Sequence, residues 1–159
     1  MKAQALDLQA RSTEPELLDL GVSEAETARS LADIRFVNRW LGGRRALLRA
    51  VLPYLKPGAR LLDVGCGSAD LPDVLRSLHR LARGALVVND LRRARVPHLF
   101  ARLVFPLVFR SPVSVHDGLV SIRRGFTSED LHEAFARAGI PRVRVVRRLP
   151  YRLVAVAEA

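Results

Sequence analysis

The chain has 159 residues, 49% of them hydrophobic and 26% charged, which fits a single globular domain with one core and excludes a disordered polymer. Its 26 basic and 16 acidic residues give a formal charge of +10. The arginines are spread in pairs such as Arg44 with Arg45 and Arg92 with Arg93, and aromatics total only 6%, so the clustered cations and stacking rings of a nucleic-acid surface are missing and no nucleic acid is expected as a partner.

Residues 1–22 are polar and are expected to form a partly mobile N-terminus. A helical lead-in over 23–55 follows. Ser23 and Glu26 have the spacing of a capping box, Ala28, Leu31, Ile34 or Phe36, and Trp40 or Leu41 suggest an apolar stripe, and Gly42 with Gly43 end the helix. A second helix covers about Arg44 to Leu55, with Leu47, Leu48, Val51 and Leu52 on one side. The rest, 58–159, reads as a reduced α/β core.

"ARLLDVG", 59–65, is a short apolar run between turn residues, the pattern of a strand buried on both faces of a parallel sheet. A helix from Asp70 or Pro72 to Ala82 follows, and "ALVVND", 85–90, gives a second buried strand. Residues 92–110 predict a helix bent near Pro106, either packed on the sheet or forming an apolar wall or interfacial patch for a lipophilic acceptor. "SVHDGLVSIRRGF", 114–126, is rich in turn signals. "TSEDLHEAFARAG" predicts a helix with Thr127 as N-cap, and two final strands meet in a tight turn near Pro150.

The chemistry concentrates in "LLDVGCGSADLP", 61–72. Strand, glycine turn and helix in series form the first unit of a nucleotide-binding sheet, in which the ligand sits at the carboxyl end of the strand. The third glycine of a dinucleotide fingerprint is absent, and Asp70 at the helix start would repel a phosphate but suit a cationic ligand. The stretch resembles the first motif of class I S-adenosylmethionine-dependent methyltransferases. "LADIRFVNRWLGGRRALLRAVLP", "LVVNDLRRARVPHLFARL" and the segment from 113 onward are similar to the lead-in and C-terminal half of a small-molecule subgroup.

That resemblance implies a three-layer Rossmann-like methyltransferase fold: a reduced, mainly parallel sheet with N-terminal helices and a C-terminal antiparallel strand. The central strands two to four are lacking, roughly 60 to 80 residues at about 30 per unit. It implies S-adenosyl-L-methionine (SAM) as cofactor, with Asp63, Gly65, Cys66, Gly67 and Ser68 lining it and Asp70 nearby, and a phenolic or lipophilic small molecule as methyl acceptor. Asp90 has two readings: a ribose ligand by its spacing from the glycines, or a substrate-side residue at the end of strand five by resemblance. A shortened sheet exposes a new edge, which a homodimer could cover.

Other residues carry weaker signals. His116 with Asp117 could be a general base and its orienting acid near the acceptor; an ordinary hydrogen-bonded turn at Asp-Gly fits equally. Cys66 is a loop filler rather than a nucleophile, and as a lone cysteine it forms no internal disulfide. His79 and His132 read as solvated and Trp40 and Phe36 as core or cofactor cover. No metal spacing occurs, no signal peptide or transmembrane segment is visible, and a soluble cytoplasmic protein is expected. Two other functions stay open: a non-catalytic relic of the methyltransferase, and a basic interaction module for nucleic acid or an acidic partner.

Overall fold

The computed structural model describes residues 8–40, 42–64, 70–149 and 151–159. These form a mixed α/β domain of seven helices and one three-stranded sheet. Helix α1 is Leu17–Leu20, α2 Glu24–Trp40, α3 Gly43–Val51, α4 Leu71–Leu81, α5 Arg95–Val108, α6 Pro112–Arg124 and α7 Ser128–Arg137. The strands are β1 Ala85–Leu91, β2 Arg144–Arg148 and β3 Arg152–Glu158. None of these helices is long and apolar enough to cross a membrane.

The sheet order is β1-β3-β2, and both pairings are antiparallel, with Val87 opposite Val156 and Val146 opposite Val154. The expectation of a mainly parallel Rossmann-like sheet is therefore corrected. β1 and β2 do run the same way, but β3 lies between them and no two described strands pair in parallel. The last strand is antiparallel, as expected, and it occupies the centre. That position explains why Leu153 through Ala157 are all buried.

Alternation along the strands sends side chains to two helical layers. Leu86, Leu153, Ala155 and Ala157 meet Leu75 of α4 and Leu131, Ala134 and Phe135 of α7. Val87, Val154 and Val156 meet Ala46 and Ala50 of α3 on the other face. α7 starts in a full capping box: Thr127 Oγ1 accepts from the Asp130 amide while Asp130 accepts from the Thr127 amide. The exposed edge strand β2 carries Arg144, Arg147 and Arg148, and charges of this kind discourage strand addition at an edge.

The predicted strand at 59–64 does not form. Residues 59–64 lie outside any helix or strand, and Leu61 and Leu62 are exposed. The carboxyl end of β1's outer edge is instead taken by Phe126, whose amide donates to the Leu91 carbonyl while its own carbonyl accepts from the Arg93 amide. A run this short has no periodicity that distinguishes a strand from coil, and both faces of the sheet already have their helices.

Two further expectations change. The run 114–126, read as turn-rich, is helical up to Arg124 as part of α6: Ser111 caps the helix by accepting from the Ser114 amide, and Pro112 suits its first turn. In α2 the buried residues are polar: Ser30 and Asp33 face α6, and Glu26 reaches Ser111, whereas Leu31, Ile34, Phe36 and Trp40 are exposed. Ser23 accepts from the Glu26 amide, but the Glu26 carboxylate serves Arg29 and Ser111 rather than closing the predicted box.

Gly125 makes the Phe126 approach sterically feasible. A Cβ there would stand 2.5 Å from the Leu91 carbonyl oxygen, a backbone atom fixed by the bridge, whereas a Cβ at Gly84 would meet nothing within 4 Å. Gly125→Ala should cost about 1–3 kcal/mol in urea unfolding, with Gly84→Ala within about 0.5 kcal/mol of the parent; equal effects at the two positions would refute this account.

Candidate functional site

An apolar hollow opens at the carboxyl end of β1. It has a volume of about 220 Å³ and lies between α2, α5, α6 and the first residues of β3. Ile34, Val37, Phe100, Phe105, Phe109 and Ile122 give it apolar walls. Pro97, Phe100, Ala101, Phe105 and Phe109 of the apolar segment 96–109 line it.

Helix propensity alone would not put Gly118 in α6. Its place follows from Phe105, whose ring edge would lie 2.6 Å from a Cβ at that position. Phe105 stacks in turn on Phe109 with centroids 4.4 Å apart. One turn earlier, Ser114 lines the same hollow; it is buried, and its hydroxyl has no hydrogen-bond partner among the described residues. An unsatisfied buried hydroxyl costs roughly 1–3 kcal/mol, so a ligand group that bonds to it recovers that loss.

Polar groups gather at the rim. Asp117 is buried, lines the hollow, and accepts from the amides of Leu17 and Leu18, capping the short α1. His116 shares a hydrogen bond with Asp117 through Nδ1 at 2.9 Å and with Glu14 through Nε2 at 3.1 Å. Both ring nitrogens therefore face carboxylates. Of the predicted acid–base pair, only Asp117 reaches the cavity, and its role there is to hold the N-terminal segment.

Residues 11–18 of the N-terminal segment are fastened to α6. Ser121 donates to Glu16, Arg123 pairs with Glu14 at 2.6 Å, and Ser12 bonds the Arg123 carbonyl. Glu16 and Leu18 contribute to the cavity wall.

Asp90 is the penultimate residue of β1, and Arg152, facing its neighbour Leu91 across the strand pair, lines the cavity. Burial pushes the Asp90 carboxyl above its ordinary pKa, against the Leu91 amide that donates to it and the positive charges of Arg152 and Arg11. Burial likewise lowers Arg152, which Asp90 partly offsets. Arg152 donates to Asn38 at 2.8 Å, and Asn89 beside it keeps a buried Oδ1 without a partner among the described residues.

The remaining predicted site residues centre on the glycine turn. Gly65, Cys66, Gly67 and Ser68 lie outside the described residues. Asp63 and Asp70 flank them and are exposed; Asp70 stands at the N-cap of α4 without a side-chain cap bond. His79 is half-buried, its Nδ1 without a partner among the described residues, and His132 is exposed and bonds its own helix. Sequence reasoning missed Ser114, Gly118 and Arg152; the available signal was two small residues four apart, opposite a phenylalanine-rich run.

Two outcomes follow. Gly118→Ala should lower stability by about 1–2 kcal/mol through the Phe105 clash, although alanine is the better helix former by about 1 kcal/mol; a raised melting temperature would contradict the packing described. The raised Asp90 pKa makes the unfolded chain lose its proton first, so stability falls as pH climbs above about 3.9 until the folded carboxyl has ionised too. Asp90→Asn should remove that slope, and its urea midpoint relative to the parent should be higher at pH 7 than at pH 4.

No family model, curated protein or solved structure matches this chain.

Proposed function

We propose that the chain binds a small lipophilic molecule, phenolic in size, in the α2/α5/α6 cavity, and that this molecule accepts a methyl group from S-adenosyl-L-methionine. The observation that carries the first half is an apolar hollow of about 220 Å³ holding one unpartnered buried hydroxyl, Ser114. An apolar cavity of about 150 Å³ admits benzene, so this one suits a ring with one or two substituents.

The second half rests on the resemblance of "LLDVGCGSADLP" to the methyltransferase motif. When bound, the cofactor supplies an electrophilic methyl group on a sulfonium. The chain's own part is to orient the acceptor: the phenylalanines exclude water, Ser114 bonds a polar substituent, and Asp117 keeps the N-terminal segment closed over it.

The exposed run 61–64 favours a second reading, a binding protein descended from a methyltransferase and lacking its catalysis, because the strand that should support the glycine loop has not joined the sheet. Calorimetry separates the two. Binding of SAM or S-adenosylhomocysteine, lost in Asp63→Ala or Gly65→Val, supports the enzyme. A substituted phenol that binds the parent and is weakened about tenfold in Ser114→Ala, with no response to millimolar SAM, selects the binding protein. No phenol binding at all removes both.

A further inference from the structure

Helix α5 is apolar on two sides. Pro97, Ala101 and Phe105 turn inward, while Val96, Leu99, Leu103 and Leu107 are 64%, 58%, 64% and 85% exposed. Steps of three, four and four place these aliphatic residues on one stripe, along a helix about 21 Å long. Single exposed leucines are ordinary on a soluble surface, but a continuous row of them marks an interaction site.

The charges beside the row indicate what it meets. Residues 92–110 contain five arginines and no acid. Arg95 precedes Leu99 by four residues and Arg102 follows it by three, so both border the stripe. Arg95, Arg102 and Arg110 are exposed, and none forms an ion pair among the described residues. The apolar surface continues past the end of the helix, where Val108 shares a hollow with Phe36 of α2, whose ring lies 6.4 Å from Trp40.

We infer that this face of α5 docks on an anionic phospholipid bilayer, with the helix lying in the interfacial plane. Aliphatic side chains enter the acyl boundary while the bordering arginines meet lipid phosphates, the division expected of an interfacial helix. The net charge of +10 adds long-range attraction to such a surface. A second copy of the chain is a poorer match, since two α5 helices paired about a two-fold axis would bring their arginine rows together with no acid on either helix. Docking also sets the outer side of the cavity wall against the apolar phase, from which a lipophilic ligand would arrive. It does not depend on methyl transfer.

The test is co-sedimentation of the full chain with phosphatidylcholine vesicles, with and without phosphatidylglycerol. Binding should require the anionic lipid and weaken as salt rises. Arg95→Gln and Arg102→Gln should each reduce partitioning about fivefold, and Leu103→Glu by about tenfold or more, with melting temperatures near the parent's because the side chains are exposed. Leu107→Trp in a Trp40→Phe background supplies a second readout: its emission should shift to the blue on anionic vesicles. No sedimentation, an unshifted tryptophan, or full binding by Leu103→Glu overturns the proposal. So does a dimer in ultracentrifugation that Leu103→Glu converts to monomer, which would assign the stripe to a second copy, or a salt-sensitive complex with RNA in place of vesicle binding.

Discussion

The arrangement at the carboxyl end of β1 depends on one buried guanidinium. Arg93, with only 2% of its side chain accessible, donates to the carbonyls of Leu8, Gln9 and Gly125 and to the carboxylate of Asp130. A cation removed from water is tolerable only when its donors are satisfied and its charge is met. Meeting those demands fixes three otherwise separate segments: the N-terminal strap, the turn between α6 and α7, and the first turn of α7. Asp130 serves the ion pair and the capping box at once, and Arg11 lies over the Phe126 ring 4.0 Å from its centroid.

Buried carboxylates perform the same service elsewhere. Asp33 of α2 accepts from the amides of Arg110 and Ser111 just ahead of α6, and Asp117 of α6 accepts from those of Leu17 and Leu18 at the start of α1. Negative charge at a helix start meets unpaired amides and the positive end of the dipole. Because α2 docks through this polar contact, Leu31 and Ile34 are not needed for its attachment. The apolar surfaces of α2 and α5 are then available to the cavity and to solvent.

Strong local patterns made much of the fold legible. The leucine spacing of α4, the Thr127 cap of α7, the β1 run and the closing hairpin each carry a signal confined to a few neighbouring residues. α6 was obscured because Asp117-Gly118 reads as a turn; Asp117 is committed to another helix's amides and Gly118 to the ring of Phe105, contacts remote in sequence. The inward face of α2 was misread for a related reason: Glu26, Ser30 and Asp33 also recur at helical spacing, and they outweigh the leucines only once the start of α6 is in place. The mainly parallel sheet failed because direction and neighbour are tertiary properties that a four-residue apolar run does not encode. At the candidate site, the aromatic wall was visible in the sequence, whereas the orphan hydroxyl of Ser114 could be recognised only from its burial.

The cap on α1 ties the proposed binding site to the N-terminal segment. Asp117 lines the hollow, and its two carboxylate oxygens hold the Leu17 and Leu18 amides. Of the guests proposed above, one that carries a hydrogen-bond donor would compete with those amides, whereas one without such a donor would leave the anchor intact. Admission would then be filtered by whether a guest frays the chain's own first helix.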